Sequence, residues 1–287
     1  MELKNIRTVG IIGAGTMGQG IAILCATAGY NTILFDVNIE FCEKAIQLIR
    51  QTLDQSVSKG KLTQSASDEA FKRIRKANEL ADVKADLIIE AVVENLEIKK
   101  KLFADLEKIN SGKAILATNT SSISITQIAS SLQNPSLFVG LHFFNPAHLM
   151  KLVEVISGVD TSPELVLLMK EFSKSLGKVA VEVKDSPGFI VNRVARHFYV
   201  ESLKVLEDKV ASHEVIDKLM KSAGFKMGPF ELMDLIGIDV NYAVTTSVYE
   251  GFNKAPKFKP SDIQYQKIKL GLLGRKSGKG FYDYSKK

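Results

Sequence analysis

The run Thr8-Val9-Gly10-Ile11-Ile12-Gly13-Ala14-Gly15-Thr16-Met17-Gly18 constrains this 287-residue chain more than any other stretch. A β-prone apolar segment leads straight into Gly-x-Gly-x-x-Gly, and Ile21, Leu24, Cys25 and Ala28 then recur at helical spacing. A second such segment, Thr32-Ile33-Leu34-Phe35, ends on Asp36, about twenty residues past the glycines. The glycine spacing alone is a weak signal. A strand before it, a helix after it and an acid closing the next strand together make the context of a dinucleotide-binding βαβ unit. Gly13 permits the tight turn, Gly15 lets the backbone approach a pyrophosphate, and Gly18 allows close helix–strand packing. The helix N-terminus offers N–H groups and a positive dipole end to the phosphates. Asp36 is placed to accept hydrogen bonds from the adenosine ribose and to repel a 2′-phosphate, which favours NAD over NADP. The plainer alternative is a tight βα turn without a ligand.

Residues 38–76 break that rhythm. Ile39, Cys42, Ala45, Ile46, Ile49, Leu53 and Val57 predict a long amphipathic helix, Lys59-Gly60-Lys61 a turn, and Ala66, Ala70, Phe71 and Ile74 a shorter helix. Together they predict a helical hairpin inserted into the domain, with Lys59 on a basic tip that from the residues alone reads as solvated surface. The α/β pattern resumes at 87–92, a near-continuous apolar run of the kind a parallel strand buried on both faces requires. Glu94 and Asn95 follow its carboxyl end, then a helix over 97–109. The next strand, 114–118, runs into Asn119-Thr120-Ser121-Ser122.

A third apolar lead-in, Leu137–Leu141, ends on His142, and Asn145-Pro146 turns the chain before Leu152-Val153-Glu154-Val155-Ile156. If the two runs pair, His142 and Glu154 meet. A carboxylate on one imidazole nitrogen fixes the tautomer and leaves the other nitrogen as a base. The alternative is a satisfied core histidine and a rim charge. Ligands in open α/β sheets sit outside the carboxyl ends of strands, so Glu94, Asn119, Ser121 and His142 are expected to converge on one crevice.

After a helix over 162–175 and a strand over 179–183 the character changes, with a domain boundary near 184. Ser186 reads as an N-cap with Pro187 at the first helical position. The helix that follows is apolar nearly all round to Leu206, which predicts burial against its own domain and a second subunit. Asn192 lies in its apolar opening, as an internal helix hydrogen bond or as a substrate contact. Gly228-Pro229-Phe230 restarts a helix, and the remainder reads as helix and loop. The expected fold is an α/β Rossmann-type N-terminal domain (1–184) with an inserted helical hairpin, followed by an all-α C-terminal domain (185–287).

The net charge of +6 is spread along the chain without basic blocks interleaved with aromatics, which argues against nucleic acid and suits small polyanionic ligands. Cys25 and Cys42 fall on apolar helical positions and read as buried thiols of a reducing compartment. No apolar stretch is long enough to span a bilayer, and residues 2–8 are polar without a following cleavage signal. A cytoplasmic protein with no membrane partner and no metal site is expected.

The blocks 13–18, Glu-Asn-Leu-Glu-Ile-Lys-Lys (94–100), Asn-Thr-Ser-Ser (119–122), His-Phe-Phe-Asn-Pro (142–146) and Met-Lys-Leu-Val-Glu-Val (150–155) occur in that order. They continue with Pro-Gly-Phe-Ile-Val-Asn-Arg (187–193), Met-Gly-Pro-Phe-Glu-Leu (227–232) and Leu-Gly-Arg-Lys-Ser-Gly-Lys-Gly-Phe-Tyr (273–282). End to end the chain resembles the 3-hydroxyacyl-CoA dehydrogenase family, in particular its bacterial 3-hydroxybutyryl-CoA members. One departure is Ala147-His148-Leu149, where the family usually has another proline and small apolar residues; His148 there is expected at the surface. The resemblance implies His142 as catalytic base, Glu154 as its orienting carboxylate, and Ser121 and Asn192 as the residues holding the substrate's hydroxyl and thioester side. It implies Asp36, Glu94, Lys99, Ser121, Asn145 and Lys276 as cofactor contacts besides the three glycines. It places Thr52 and Lys59 at coenzyme A, against the bland reading of Lys59, and it implies an acyl-CoA substrate and a homodimer formed through the helical domain. The competing functions are a dehydrogenase of a free hydroxy or sugar acid, a lysine-dependent β-hydroxyacid dehydrogenase, and a non-catalytic NAD-binding protein.

Overall fold

A computed structural model describes residues 2–285, and the chain divides into two compact units, Met1–Ser186 and Pro187–Lys287. In the first, β1 (Thr8–Ile12), α1 (Thr16–Thr27) and β2 (Asn31–Phe35) form the expected βαβ unit. Then come α2 (Ile39–Ser58), α3 (Gln64–Lys72), β3 (Ile74–Lys76), β4 (Leu87–Glu90), α4 (Leu96–Ile109), β5 (Ile115–Thr118) and α5 (Ile125–Ala129). β6 (Phe138–Phe143), β7 (Leu152–Ser157), α6 (Pro163–Ser175) and β8 (Val179–Lys184) complete it. All the strands join one sheet in the order β3-β2-β1-β4-β5-β6-β7-β8, parallel throughout except for the β6–β7 pair. Every residue of β4, β5 and β6 is buried, as central strands covered on both faces must be. The strand order reverses between β1 and β4, which is where an open α/β sheet leaves a crevice at its carboxyl edge.

The helices begin where the sequence supplies caps. Asn38, Thr63, Asn95, Ser124 and Ser162 each accept a first-turn backbone N–H. α2 turns Cys42, Ala45, Ile49 and Leu53 into the core. The hairpin ends sooner than its periodicity predicts: Ile74 opens the edge strand β3, pairing with Thr32 of β2, instead of closing the second helix. The two helices are therefore the crossover between parallel neighbours β2 and β3. Three residues, Ile-Arg-Lys, carry no readable period. Cys25 and Cys42 are free and buried, and burial pushes both thiols above their ordinary value, which keeps them unreactive.

The second unit is helical: α7 (Val191–Glu207), α8 (His213–Ser222), α9 (Pro229–Ile236), α10 (Ile238–Gly251) and α11 (Asp262–Lys269). α7 starts at Val191, not at Pro187 as its sequence predicts, because Gly188 (φ 74°) and Phe189 (φ 51°) occupy the left-handed region and cannot belong to a right-handed helix. Nor is α7 buried all round. Arg196, Tyr199, Val200 and Leu203 face inward while Ile190, just before it, and Val194 are exposed. Tyr199 and Leu203 join Ile216, Phe230, Met233 and Ile238 in the core. Buried Asp234 accepts the backbone N–H groups of Phe281 and Tyr282 and so ties the C-terminal segment to α9. No helix among the described residues is long and apolar enough to cross a membrane.

Candidate active site

The glycine loop is built by two steric requirements and one open face. Gly13 has φ 104°, and a Cβ there would lie 2.5 Å from the Ala91 carbonyl oxygen. A Cβ on Gly18 would run into the Gly13 carbonyl, so the third glycine clears the loop's own backbone before it clears the strand. Gly15 has nothing within 4 Å of its Cβ position, which leaves the loop open to a ligand on that side. It is also the N-cap of α1 and supplies no side-chain acceptor to the first turn. Those observations fit a phosphate-bearing dinucleotide. Asp36 has a second task that its position in the sequence did not reveal. Its Oδ2 accepts the Ala14 N–H (2.8 Å) and its Oδ1 the Asn38 N–H (3.0 Å), so it ties the glycine loop to the end of β2. A carboxylate with those two bonds keeps further lone pairs for ribose hydroxyls.

At the end of β4 the site rests on a buried charge network. Glu90 is fully buried and takes Lys99 Nζ at 2.6 Å, the Val92 N–H at 2.7 Å and the Thr118 hydroxyl at 2.7 Å. Lys99 also reaches Glu94 Oε2 at 3.2 Å. Expected to touch the cofactor, Lys99 is instead 1% exposed, held beneath Glu94 by both acids. Glu94 Oε1 accepts the Thr120 hydroxyl (2.5 Å) and the Ser121 N–H (2.9 Å), which fixes the turn after β5. Burial alone would raise the Glu94 carboxyl, but the Lys99 charge and these hydrogen bonds outweigh it and hold the carboxyl below its ordinary value. Glu90 is the residue the sequence reading missed. Its signal was an acid inside an otherwise unbroken apolar strand.

β6 and β7 pair antiparallel with His142 directly opposite Glu154. His142 Nδ1–H donates to Glu154 Oε2 at 2.8 Å, with the two residues 6% and 1% exposed. That tautomer puts the ring's lone pair on Nε2. Asn119 Oδ1 accepts the Phe143 N–H at 2.8 Å, which locks the turn after β5 to the end of β6 beside the histidine. Glu94, Asn119, Ser121 and His142 therefore stand at neighbouring strand ends, as the strand-end argument predicts, and exposed Asn145 follows two residues beyond β6.

The departure at 147–149 has its own support. Ala147 is buried against Gly20 of α1, and Lys178 Nζ donates to the carbonyls of Ala147 and Met150, both at 2.7 Å. His148 is half-buried and not the surface residue expected. Burial first, then the charges of Lys178 and Lys61, keep its imidazole below the ordinary value. Thr52 and Lys59 lie seven residues apart on α2 and its C-cap, so two turns bring them to one face. Lys59 is exposed, while the Thr52 hydroxyl donates to the Leu48 carbonyl at 2.8 Å. In the helical unit, Asn192 sits half-buried in the first turn of α7, and Lys276 pairs with Asp239 at 2.6 Å.

Residues 8–186 match the family model described as 3-hydroxyacyl-CoA dehydrogenase, NAD binding domain, and residues 188–284 match that family's C-terminal domain. The chain is 48% identical, over 98% of its length, to a 3-hydroxyadipyl-CoA dehydrogenase of Escherichia coli, and spans 59% of that protein. It is 39% identical to a probable 3-hydroxybutyryl-CoA dehydrogenase of Bacillus subtilis over 100% of this chain and 99% of that one. The crystal structure of (S)-3-hydroxybutyryl-CoA dehydrogenase from Ralstonia eutropha superposes with a TM-score of 0.93 at 41% identity, covering 98% of this chain and 100% of that one.

Proposed function

The chain belongs to the 3-hydroxyacyl-CoA dehydrogenase family, and from that premise we propose that it interconverts short-chain (S)-3-hydroxyacyl-CoA and 3-ketoacyl-CoA with NAD, 3-hydroxybutyryl-CoA and acetoacetyl-CoA being the simplest pair. The observation that carries the reading is the in-register His142–Glu154 pair, buried and bonded at 2.8 Å beside the turn that bears Ser121. NAD held by the glycine loop and Asp36 would supply the hydride acceptor for C3 of the substrate in oxidation and the hydride donor in reduction. His142 Nε2 takes the proton from the 3-hydroxyl in oxidation and returns it to the ketone oxygen in reduction. Glu154 holds the ring and stabilises the imidazolium without leaving its strand position. Ser121 and Asn192 orient the hydroxyl and the thioester. Thr52 and Lys59 hold the coenzyme's remote phosphates, whose binding energy serves to position C3. Glycines 13, 15 and 18 with Asp36, Glu94, Asn145 and Lys276 hold the dinucleotide, and Lys99 acts through Glu94. A second copy of this chain is the partner of the helical unit, supported by exposed Val194, Val215, Leu219 and Phe225.

The experiment is a spectrophotometric assay of the purified chain with acetoacetyl-CoA or free acetoacetate, each with NADH and NADPH. Reduction of the thioester with NADH is expected. Equal turnover of the free acid would move the activity to another substrate class, and no turnover of either would leave a dinucleotide-binding protein. A preference for NADPH would overturn the assignment of Asp36. Asp36→Ala is expected to weaken NADH binding by roughly 10- to 100-fold, the value of one charge-assisted hydrogen bond, and to narrow the gap to NADPH. Fluorescence titration with both nucleotides measures this. An unchanged NADH affinity would confine Asp36 to holding the loop.

A further inference from the structure

Residues 144–151 connect β6, which ends beside His142, to β7, which carries Glu154, and Asn145 lies within that connection. The Pro146 carbonyl accepts the Leu149 and Met150 N–H groups, both at 3.0 Å, which curls 146–150 into one turn. Two carbonyls of that turn, Ala147 and Met150, accept from Lys178 Nζ, both at 2.7 Å. Lys178 itself comes from a fixed place between α6 and β8. Its N–H donates to the Ser173 carbonyl at 3.0 Å, and the next residue, Val179, donates to the Lys151 carbonyl at 2.8 Å where β8 joins β7. The turn also meets α1, since a Cβ on Gly20 would stand 3.0 Å from the Ala147 Cβ. Ala147 therefore has no room to move toward α1.

Lys178 is 8% exposed, and burial holds its ammonium below the ordinary value. Among the described residues no carboxylate pairs with it. A buried cation held by carbonyls alone costs stability that an apolar side chain of similar length does not cost. Packing therefore does not account for a lysine here. Two charge-assisted hydrogen bonds to one turn supply something else, a fixed place for both carbonyls relative to the β7–β8 ladder.

We propose that Lys178 is a positioning residue for hydride transfer: by holding the 146–150 turn between β8 and α1, it sets where Asn145, and through it the dinucleotide, stands relative to His142. This rests on the dehydrogenase reading above and adds to it a residue that acts through another. The path is short in sequence, because Asn145 lies two residues before the Ala147 carbonyl and three after His142. A shift of about 1 Å between reacting groups costs on the order of 10²-fold in rate, so a small slackening of the turn is enough to register.

The test uses the full chain with acetoacetyl-CoA and NADH, unlabelled or carrying deuterium at the transferred position. In Lys178→Met, kcat is expected to fall by roughly 10- to 100-fold, with a full primary isotope effect as hydride transfer becomes the slow step. The KM for NADH is expected to rise. The KM for acetoacetyl-CoA is expected to stay near its wild-type value, because Thr52 and Lys59 stand on α2 and its cap. A lysine with a structural role only would lower stability in urea and leave kcat per folded molecule unchanged, and that result overturns the proposal. A fall in kcat without an isotope effect overturns it too, since another step would then be limiting. Gly20→Ala disturbs the same turn from α1. It raises helix propensity, so the variant is expected to fold, and Ala147 has to give way by a few tenths of an ångström. Its kcat is expected to fall several-fold with the same isotope effect. If Lys178→Met does not fold, Gly20→Ala decides, and wild-type kcat in it overturns the proposal. A wild-type chain that does not reduce acetoacetyl-CoA sinks the dehydrogenase reading and this proposal with it, whereas an active wild type with unmoved variants sinks this proposal alone.

Discussion

Replacing His142 with glutamine is expected to lower kcat for acetoacetyl-CoA reduction by roughly 10²- to 10⁴-fold, the contribution of a positioned acid–base group. The change should fall on turnover and leave nucleotide binding nearly intact, because the glycine loop and Asp36 are held by their own contacts at β1 and β2. Glutamine keeps a polar end near Glu154 but has no nitrogen that cycles between lone pair and N–H at neutral pH. Steady-state kinetics together with NADH fluorescence titration measures both quantities. Wild-type turnover in the variant would remove His142 from its role. Glu154→Gln is expected to act in the same direction with a smaller loss, since the amide oxygen still accepts from Nδ1–H while the charge that stabilises the imidazolium is gone.

Lys99→Met is expected to destabilise the N-terminal unit by roughly 3–5 kcal/mol, the usual cost of breaking a buried ion pair from one side. Glu90 would be left with its charge in the interior, bonded only to the Val92 N–H and the Thr118 hydroxyl. The loss extends to the cofactor side, because Glu94 then holds the Thr120–Ser121 turn without its cation. Urea unfolding measures the stability, and the same preparation should show a raised KM for NADH. The double variant Glu90→Gln, Lys99→Met is expected to recover most of the stability, since it removes both charges and not one. A single variant as stable as wild type would mean that water, and not protein, solvates the Glu90 carboxylate. The linkage at Glu94 has a definite sign: its depressed carboxyl stabilises the fold above the unfolded-state value, and that contribution fades as pH falls through the folded-state value.

The legible parts of this protein are those where a local rule has one solution. Glycines at 13, 15 and 18 between a strand and a helix fix a turn, and an apolar run at 87–90 fixes a central strand. The local signal Ser186-Pro187 predicts a helix start at Pro187, while two left-handed residues after it delay the helix to Val191. The strand at 74–76 was invisible because its pairing with β2 is made across more than forty residues.

The sequence by itself determined the dinucleotide-binding turn and the buried central strands, because these follow from backbone sterics and from unbroken apolar runs, while it made the meeting of His142 and Glu154 conditional on two strands pairing. Only the tertiary structure decided what each buried charge faces. It set Lys99 between Glu90 and Glu94, turned the second oxygen of Asp36 onto the glycine loop, and left Arg196 among neutral partners. Such pairings depend on side chains brought together from distant segments, and their energies are set by desolvation, which no local pattern of residues records.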